Sequence, residues 1–357
     1  MKKTAVLILT GAILALILPL PAYAQMEYLF VDKDTIDQDF SWGKNDIIDA
    51  IDYELYSGYP DGTLRLNNNI TRAEFAAILS RVIDVVGTPG PNWYDAVVDG
   101  LVKAGIIPDK SGNWDAAITR LEAAKWLGRL ARIYSLPVTD PEIVFRDTQD
   151  VDALYAGKTG LIKGIEDGVL GIDQNLNRAQ AIVLLNRINK AINIDLASDE
   201  DLTNAAREAI EDLNKIVTSF DAHQDDIKIS YKDLPYRRVT PSHFELRRRM
   251  FLDLDLPNRF GFLHTVSRRF PCSIKGVTIA QKHRNTAVAY VSVDLNVGLE
   301  EKYITSDEDR KMLLRSSPIW HIIHKMLNQG YLTVYLRKME GNWKATVIYF
   351  YKVPLNS

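Results

Sequence analysis

Three arginines in matching local sequences are the residues best suited to chemistry in this chain. They lie in the stretches Ile70–Glu74, Ile118–Glu122 and Leu176–Gln180, which read Ile-Thr-Arg-Ala-Glu, Ile-Thr-Arg-Leu-Glu and Leu-Asn-Arg-Ala-Gln. A planar guanidinium donates two parallel hydrogen bonds to a carboxylate, so Arg72, Arg120 and Arg178 could bind an anionic ligand. An ion pair between repeats would explain the same arginines, and the sequence leaves both interpretations open.

Each arginine is predicted to occupy the first turn of an amphipathic helix. Thr71 and Glu74 have the three-residue spacing of a helix capping box. The other two copies repeat this spacing in the pairs Thr119–Glu122 and Asn177–Gln180. Apolar residues then recur at helical spacing, namely Phe75, Ile78, Leu79, Val82 and Ile83; Ala123, Trp126, Leu127, Leu130 and Ala131; and Ala181, Leu184, Leu185 and Ile188. Capping does not explain the arginine, because a cation near a helix N-terminus opposes the helix dipole.

The arginines are 48 and then 58 residues apart, a period in the range of internal structural repeats. The first copy also contains Phe30-Val31-Asp32, Trp42 and the turn sequence Gly58–Thr63 (Gly-Tyr-Pro-Asp-Gly-Thr). The second copy keeps Trp93 but lacks this turn, and the third keeps Phe145-Arg146-Asp147 but has no matching tryptophan. These features resemble three S-layer homology (SLH) motifs in tandem, the module that attaches exported bacterial proteins to the cell wall.

The resemblance implies one pseudo-threefold unit with a central three-helix bundle and a ligand groove between neighbouring motifs. The implied ligand is a secondary cell-wall polysaccharide, often ending in pyruvylated N-acetylmannosamine, or modified peptidoglycan in a looser variant of the module. The residues carried over as ligand-binding candidates are Arg72, Arg120, Arg178, Trp42, Trp93, Asp32, Asp147, Gly58 and Gly62. The arginines would contact the ligand, the tryptophans would line the grooves or pack in the core, the aspartates would orient the grooves, and the glycines would permit close backbone approach. The groove served by Arg72 matches the family pattern best.

The N-terminus predicts export. Residues 1–24 have two lysines, an apolar run and a small-residue cleavage sequence, Ala22-Tyr23-Ala24, which together are typical of a secretory signal peptide. No later stretch is apolar enough to span a membrane. The net charge of −3 favours neither a nucleic-acid nor a membrane partner. The single cysteine, Cys272, excludes an intrachain disulfide and is expected to be buried.

The C-terminal half predicts an α+β domain on an antiparallel sheet. A helix is expected over residues 202–217, a strand over 287–295, a helix from Ser317 to Gly330, and a hairpin that turns at residues 340–342. This order weakly resembles NTF2-like folds. The pair His321 and His324 has no third metal ligand nearby, and the arginine-rich residues 237–269 are either a solvated face or a contact for polyanionic wall polymer.

The sequence therefore predicts a multidomain protein. Its parts are a signal peptide (1–24), SLH motifs at 25–86, 87–138 and 139–195, and a C-terminal domain at 196–357. The predicted function is non-covalent anchoring of an exported cell-surface (S-layer) protein that displays a binding or assembly domain. The alternatives are an SLH-anchored enzyme that acts on wall glycan or a small molecule, and a structural envelope protein that self-assembles. The sequence contains no catalytic, metal-binding or cofactor motif, which disfavours the enzyme.

Overall fold

A computed structural model describes residues 30–222, 272–295 and 331–349 of the chain. The predicted signal peptide, the arginine-rich residues 237–269 and the helix predicted from Ser317 to Gly330 lie outside the described residues, and so do His321 and His324. Within the described residues the N-terminal part is helical and the C-terminal part is α+β, as predicted.

The three arginine helices begin where the capping sequences place them. The helices of the chain are α1 Thr35–Gln38, α2 Lys44–Asp52, α3 Arg72–Ile83, α4 Asp95–Lys103, α5 Arg120–Ile133, α6 Val151–Lys158, α7 Arg178–Ala191 and α8 Asp199–Ala222, with a 3-10 turn at Ser41–Gly43. The capping boxes predicted at Thr71 and Asn177 form both of their reciprocal hydrogen bonds. Thr119 accepts the Glu122 N–H in the same way. Each of the three predicted arginine helices is therefore confirmed, with the arginine as its first residue.

The helices pack in a cyclic order. Helix α4 packs on α3 and α6 packs on α5, so the first helix of each later segment lies on the arginine helix of the segment before it. Helix α2 of the first segment packs on α7 of the third, which closes the cycle. Ion pairs strengthen this closure, since Lys190 of α7 lies 3.0 Å from the Asp46 carboxylate and 2.8 Å from the Asp49 carboxylate of α2.

A ring of backbone hydrogen bonds joins the three residues that precede the capping positions. Ile70 N–H donates to Leu176 O (3.0 Å), Ile118 N–H donates to Ile70 O (3.0 Å), and Leu176 N–H donates to Ile118 O (3.2 Å). All three side chains are fully buried. Each segment thus satisfies the backbone of the next around a closed cycle, and the buried N–H groups keep their partners.

The C-terminal strands form one antiparallel sheet in the order β1-β2-β3-β4. The strands are β1 Cys272–Lys282, β2 Thr286–Leu295, β3 Tyr331–Met339 and β4 Asn342–Tyr349. The predicted strand at 287–295 and the predicted hairpin are confirmed. Strand β1 was not predicted, because two register shifts, at Ile274/Gly276 and Ile279/Gln281, break the alternation of apolar and polar residues that marks a strand.

The sheet is buried on both faces. One face, which includes Val291, Val334 and Leu336, packs on the apolar side of α8. The opposite face contributes Tyr335 and Tyr349 to the core of the helical part. Both faces are therefore apolar, which explains the runs of buried residues along β3 and β4.

Polar contacts fix the sheet on the C-terminal ends of helices. The β1–β2 turn donates from Asn285 Nδ2 to Val82 O (3.0 Å) at the end of α3 and from Arg284 N–H to Ile192 O (3.4 Å) just after α7. Asn189 of α7 exchanges hydrogen bonds with Thr286. The arginines begin these same helices, so α3, at twelve residues, separates its arginine end from the sheet by ~18 Å.

Asp84 ties α3 to the β3–β4 turn. Its carboxylate accepts the N–H groups of Glu340 (3.0 Å) and Gly341 (3.2 Å), and its own backbone is left-handed with φ of 53°. Replacing Asp84 with alanine should lower the free energy of unfolding by about 1 to 2 kcal/mol, because two charge-assisted hydrogen bonds are lost. Chemical denaturation measures this, and Asp84→Asn is the control, since asparagine keeps one acceptor and tolerates the left-handed backbone. Equal stability of Asp84→Ala and the wild type would exclude the turn contact.

Candidate functional site

The three arginines each reach into the following segment of the cycle. Arg72 of α3 forms an ion pair with Glu122 at the start of α5, with Nε and Nη2 at 2.8 and 2.7 Å from the same carboxylate oxygen. Its guanidinium also lies 4.6 Å from the Trp114 ring centre and donates to Asn113 O (3.3 Å). The charge of Arg72 is therefore matched by a carboxylate of the neighbouring segment.

Arg178 of α7 has the same arrangement with the first segment. Its Nη2 lies 2.9 Å from both carboxylate oxygens of Glu74, and its guanidinium lies 4.7 Å from the Tyr59 ring centre. The Tyr59 hydroxyl also donates to Glu74. Burial raises the pKa of Glu74, but the bonds from Thr71 N–H, Tyr59 and Arg178 outweigh it, so the pKa lies below its usual range. The Arg178 side chain is only 7% exposed.

Arg120 of α5 differs from the other two. Its Nε donates to Leu170 O (2.7 Å) and its Nη2 donates to Lys163 O (2.6 Å), both in the third segment. In the part of the chain that the structure describes, it forms no ion pair with a carboxylate. The residue that corresponds to Glu74 and Glu122 is the neutral Gln180. Burial lowers the pKa of Arg120, and the charge of Asp147 offsets part of this effect.

The two predicted aspartates hold the loops that cover the arginines. Asp147 accepts the N–H groups of Leu170 (2.9 Å) and Gly171 (2.7 Å), which fixes the loop whose Leu170 carbonyl contacts Arg120. Burial raises the pKa of Asp147, but the hydrogen bonds from these backbone N–H groups lower it by more, so the pKa lies below its usual value. Asp32 holds the corresponding loop of the first segment, where it accepts the N–H groups of Leu64 (2.7 Å) and Arg65 (2.8 Å).

Gly58 and Gly62 shape the turn that brings Tyr59 over Arg178. Both have positive φ, 64° and 77°. A Cβ at Gly58 would lie 2.4 Å from the Phe30 ring and 2.8 Å from Thr63 O, so the turn requires glycine there. These two glycines are thus placed at the junction between the third and first segments.

Trp42 and Trp93 lie on the surface. Their side chains are 56% and 63% exposed, so the alternative that they pack in the core is wrong. Trp42 makes an edge contact with Phe40, and Trp93 makes one with Tyr94. Neither contacts Arg72, Arg120 or Arg178 in the described structure, so the tryptophans and the arginines are separate features.

Sequence reasoning missed two aromatic residues and a cleft. Tyr59 and Trp114 lie against arginine guanidinium groups, and the signal that could have found them is an aromatic residue in or beside the turn before the first two arginine helices. A cleft of about 790 Å³ lies in the third segment, between residues 139–146 and residues 157–168. Both Arg146 and Lys163 line it, together with four acidic residues, Asp140, Glu142, Glu166 and Asp167.

Comparison with known proteins finds one family match and one similar protein. The model of the S-layer homology domain matches residues 37–76, which run from α1 into α3 and include Arg72. The chain is also 25% identical over 185 residues to an amylopullulanase of Thermoanaerobacterium thermosulfurigenes. That match covers 46% of this chain and 10% of the amylopullulanase, so the chain spans about a tenth of that relative's length.

The match to the S-layer homology domain lies within the first of the three segments. Among the described residues, no helix is both long and apolar enough to cross a membrane. In the same ranges no group of three or more histidine, cysteine or acidic side chains is arranged to hold a metal ion.

Proposed function

We propose that residues 25–86, 87–138 and 139–195 are three SLH motifs that form one pseudo-threefold unit with a central three-helix bundle. The observation that carries this proposal is the closed ring of hydrogen bonds among Ile70, Ile118 and Leu176. The cyclic packing of α2 on α7, α4 on α3 and α6 on α5 has the same threefold order. The matched SLH domain is one of the three segments, and the other two repeat its arginine helix.

This unit anchors the exported protein non-covalently to secondary cell-wall polysaccharide that carries pyruvate ketals. Binding such a ligand requires an arginine that pairs with its carboxylate and an apolar surface that packs against its sugar rings. The arginine junctions supply the first, and the exposed rings of Trp42 and Trp93 supply the second. The C-terminal sheet covers the opposite ends of α3 and α7, so the C-terminal part faces away from the arginine ends and serves binding or assembly at the cell surface.

Sedimentation with cell-wall sacculi tests the polysaccharide assignment. The full chain without its predicted signal peptide is mixed with native sacculi and with sacculi from which the secondary polysaccharide has been extracted. We expect pelleting with the native sacculi and its loss after extraction. Equal pelleting with both preparations would overturn the polysaccharide assignment and identify peptidoglycan as the wall contact.

The double variant Trp42→Ala/Trp93→Ala tests the aromatic contribution. We expect it to weaken binding to sacculi about tenfold or more, because exposed tryptophans in binding sites contribute on the order of 1 to 2 kcal/mol each. The fold should be unaffected, since both rings lie outside the core. Val31→Ala is the matched control, because Val31 is an exposed apolar residue of the same segment. Unchanged binding by the double variant would exclude both rings from the wall contact.

A further inference from the structure

The junctions between the three segments are not equivalent in charge. Two of them already contain a carboxylate, because Glu122 pairs with Arg72 and Glu74 pairs with Arg178. At the third junction, between the second and third segments, Gln180 stands where the other two have glutamate. Arg120 is thus a cation, 7% exposed, that contacts two backbone carbonyls and has no carboxylate partner among the described residues.

Gln180 is oriented to donate. Its side-chain oxygen is used by the capping box, where it accepts the Asn177 N–H (3.2 Å). Its amide NH2 group has no hydrogen-bond partner in the part of the chain that the structure describes, and neither does Nη1 of Arg120. A carboxylate bound at this junction could accept hydrogen bonds from both donors, one of which is charged.

The position is open to a ligand from solvent. The side chains of Glu74 and Glu122, which occupy it at the other two junctions, keep 22% and 27% of their surface exposed. Gln180 is likewise half-buried. Lys163, whose carbonyl accepts from Arg120, also lines the cleft of the third segment, so the cleft adjoins the loop that contacts Arg120. The acidic residues of that cleft suit the hydroxyl donors of a sugar better than a second anionic group.

From this arrangement we propose that the carboxylate of the wall sugar binds between Arg120 and Gln180, in the place that Glu74 and Glu122 fill at the other two junctions. This inference rests on the proposed function and narrows it. The chain has three similar junctions but one carboxylate site, because two junctions are closed by their own glutamates. The selective residue is Gln180, which leaves the third junction without the glutamate that pairs with the arginine at the other two junctions.

Exchanging glutamine and glutamate at these junctions tests the proposal. Isothermal titration is carried out on the full chain with the methyl glycoside of pyruvylated N-acetylmannosamine. The wild type should bind one molecule per chain, and Q180E should bind at least tenfold more weakly. Q180E should remain folded, because glutamate is the capping residue at the two equivalent positions. E122Q removes the partner of Arg72 and should raise the number of bound molecules toward two.

The controls separate this proposal from the function on which it rests. The same sugar without pyruvate should not bind, and the methyl glycoside of glucuronic acid distinguishes a pyruvate carboxylate from any sugar carboxylate, so its equal binding would overturn the choice of ligand. If wild type and Q180E bind the pyruvylated sugar equally, or if E122Q leaves the stoichiometry unchanged, the assignment to Arg120 and Gln180 is wrong while wall anchoring stands. If the wild type pellets with neither native nor extracted sacculi, the proposed function itself fails.

Discussion

Replacing Gly128 with alanine should destabilise the protein by about 3 kcal/mol or more, at the upper end of overpacking effects. Gly128 lies inside α5, where α6 crosses it. A Cβ on Gly128 would lie 1.9 Å from the backbone oxygen of Asp152 and 2.5 Å from its carbonyl carbon. The clash is with backbone, so no side-chain rotation relieves it, and the two helices would have to separate. Thermal or urea unfolding of the purified variant measures the loss.

The sign of this effect makes the prediction specific. In a helix interior the change from glycine to alanine ordinarily stabilises by about 1 kcal/mol, because alanine has the higher helix propensity. Gly276 is the matched control, since a Cβ there would meet no atom within 4 Å. Gly276→Ala should therefore change stability little. A Gly128→Ala variant that is as stable as the wild type would contradict the close packing of α5 on α6.

Replacing Glu74 with glutamine should cost about 3 kcal/mol at neutral pH, in the range measured when one partner of a buried ion pair is removed. The Arg178 guanidinium would keep its charge while buried, and its Nε and Nη1 atoms already have no hydrogen-bond partner among the described residues. Glutamine preserves the shape and the capping role, as Gln180 shows in the third segment. The loss therefore reports the missing charge. Urea unfolding at pH 7 measures it.

The same variant should lack the part of the acid sensitivity that Glu74 contributes to the wild type. The pKa of Glu74 in the folded protein is lower than its ordinary value of 4.5, so its stabilising effect is fully present above that value and is lost as the pH falls through the folded-state pKa. The difference between wild type and Glu74→Gln should shrink below about pH 4. Asp61→Asn is the control, because it removes an exposed ion pair with Arg65, while asparagine keeps the side-chain oxygen that accepts from Thr63, so its effect on stability should be small. A constant difference down to pH 3 would contradict the ion pair.

Local signals in the sequence predicted the parts of the fold that depend on near neighbours. The capping spacing of Thr71 and Glu74 is a three-residue pattern, and it placed the start of α3 at the correct residue. The ion-pair partners of Arg72 and Arg178 could not be predicted from a local sequence pattern. Arg72 and Glu122 are 50 residues apart, and Arg178 and Glu74 are 104 apart, so their pairing depends on how the segments close into a cycle.

The same limit applies to the C-terminal part. The hairpin of β3 and β4 follows from alternation and a local turn, and it was predicted. The contact of Tyr349 with Asp52 joins residues 297 positions apart, and no local sequence pattern predicts it. For Trp42 and Trp93 the sequence left groove lining and core packing open, and the structure places both side chains on the surface. For a large aromatic residue, type alone does not separate a packing role from a binding role.

The most direct test of the central claim is sedimentation of the full chain with two preparations of sacculi, one native and one stripped of pyruvate by mild acid. The polysaccharide backbone is retained in both, so the comparison isolates the anionic group that the SLH unit is proposed to bind. We expect strong pelleting with native sacculi and a loss of at least tenfold after stripping. Equal pelleting with both preparations would contradict carboxylate recognition by the SLH unit and would transfer the wall contact to another part of the chain.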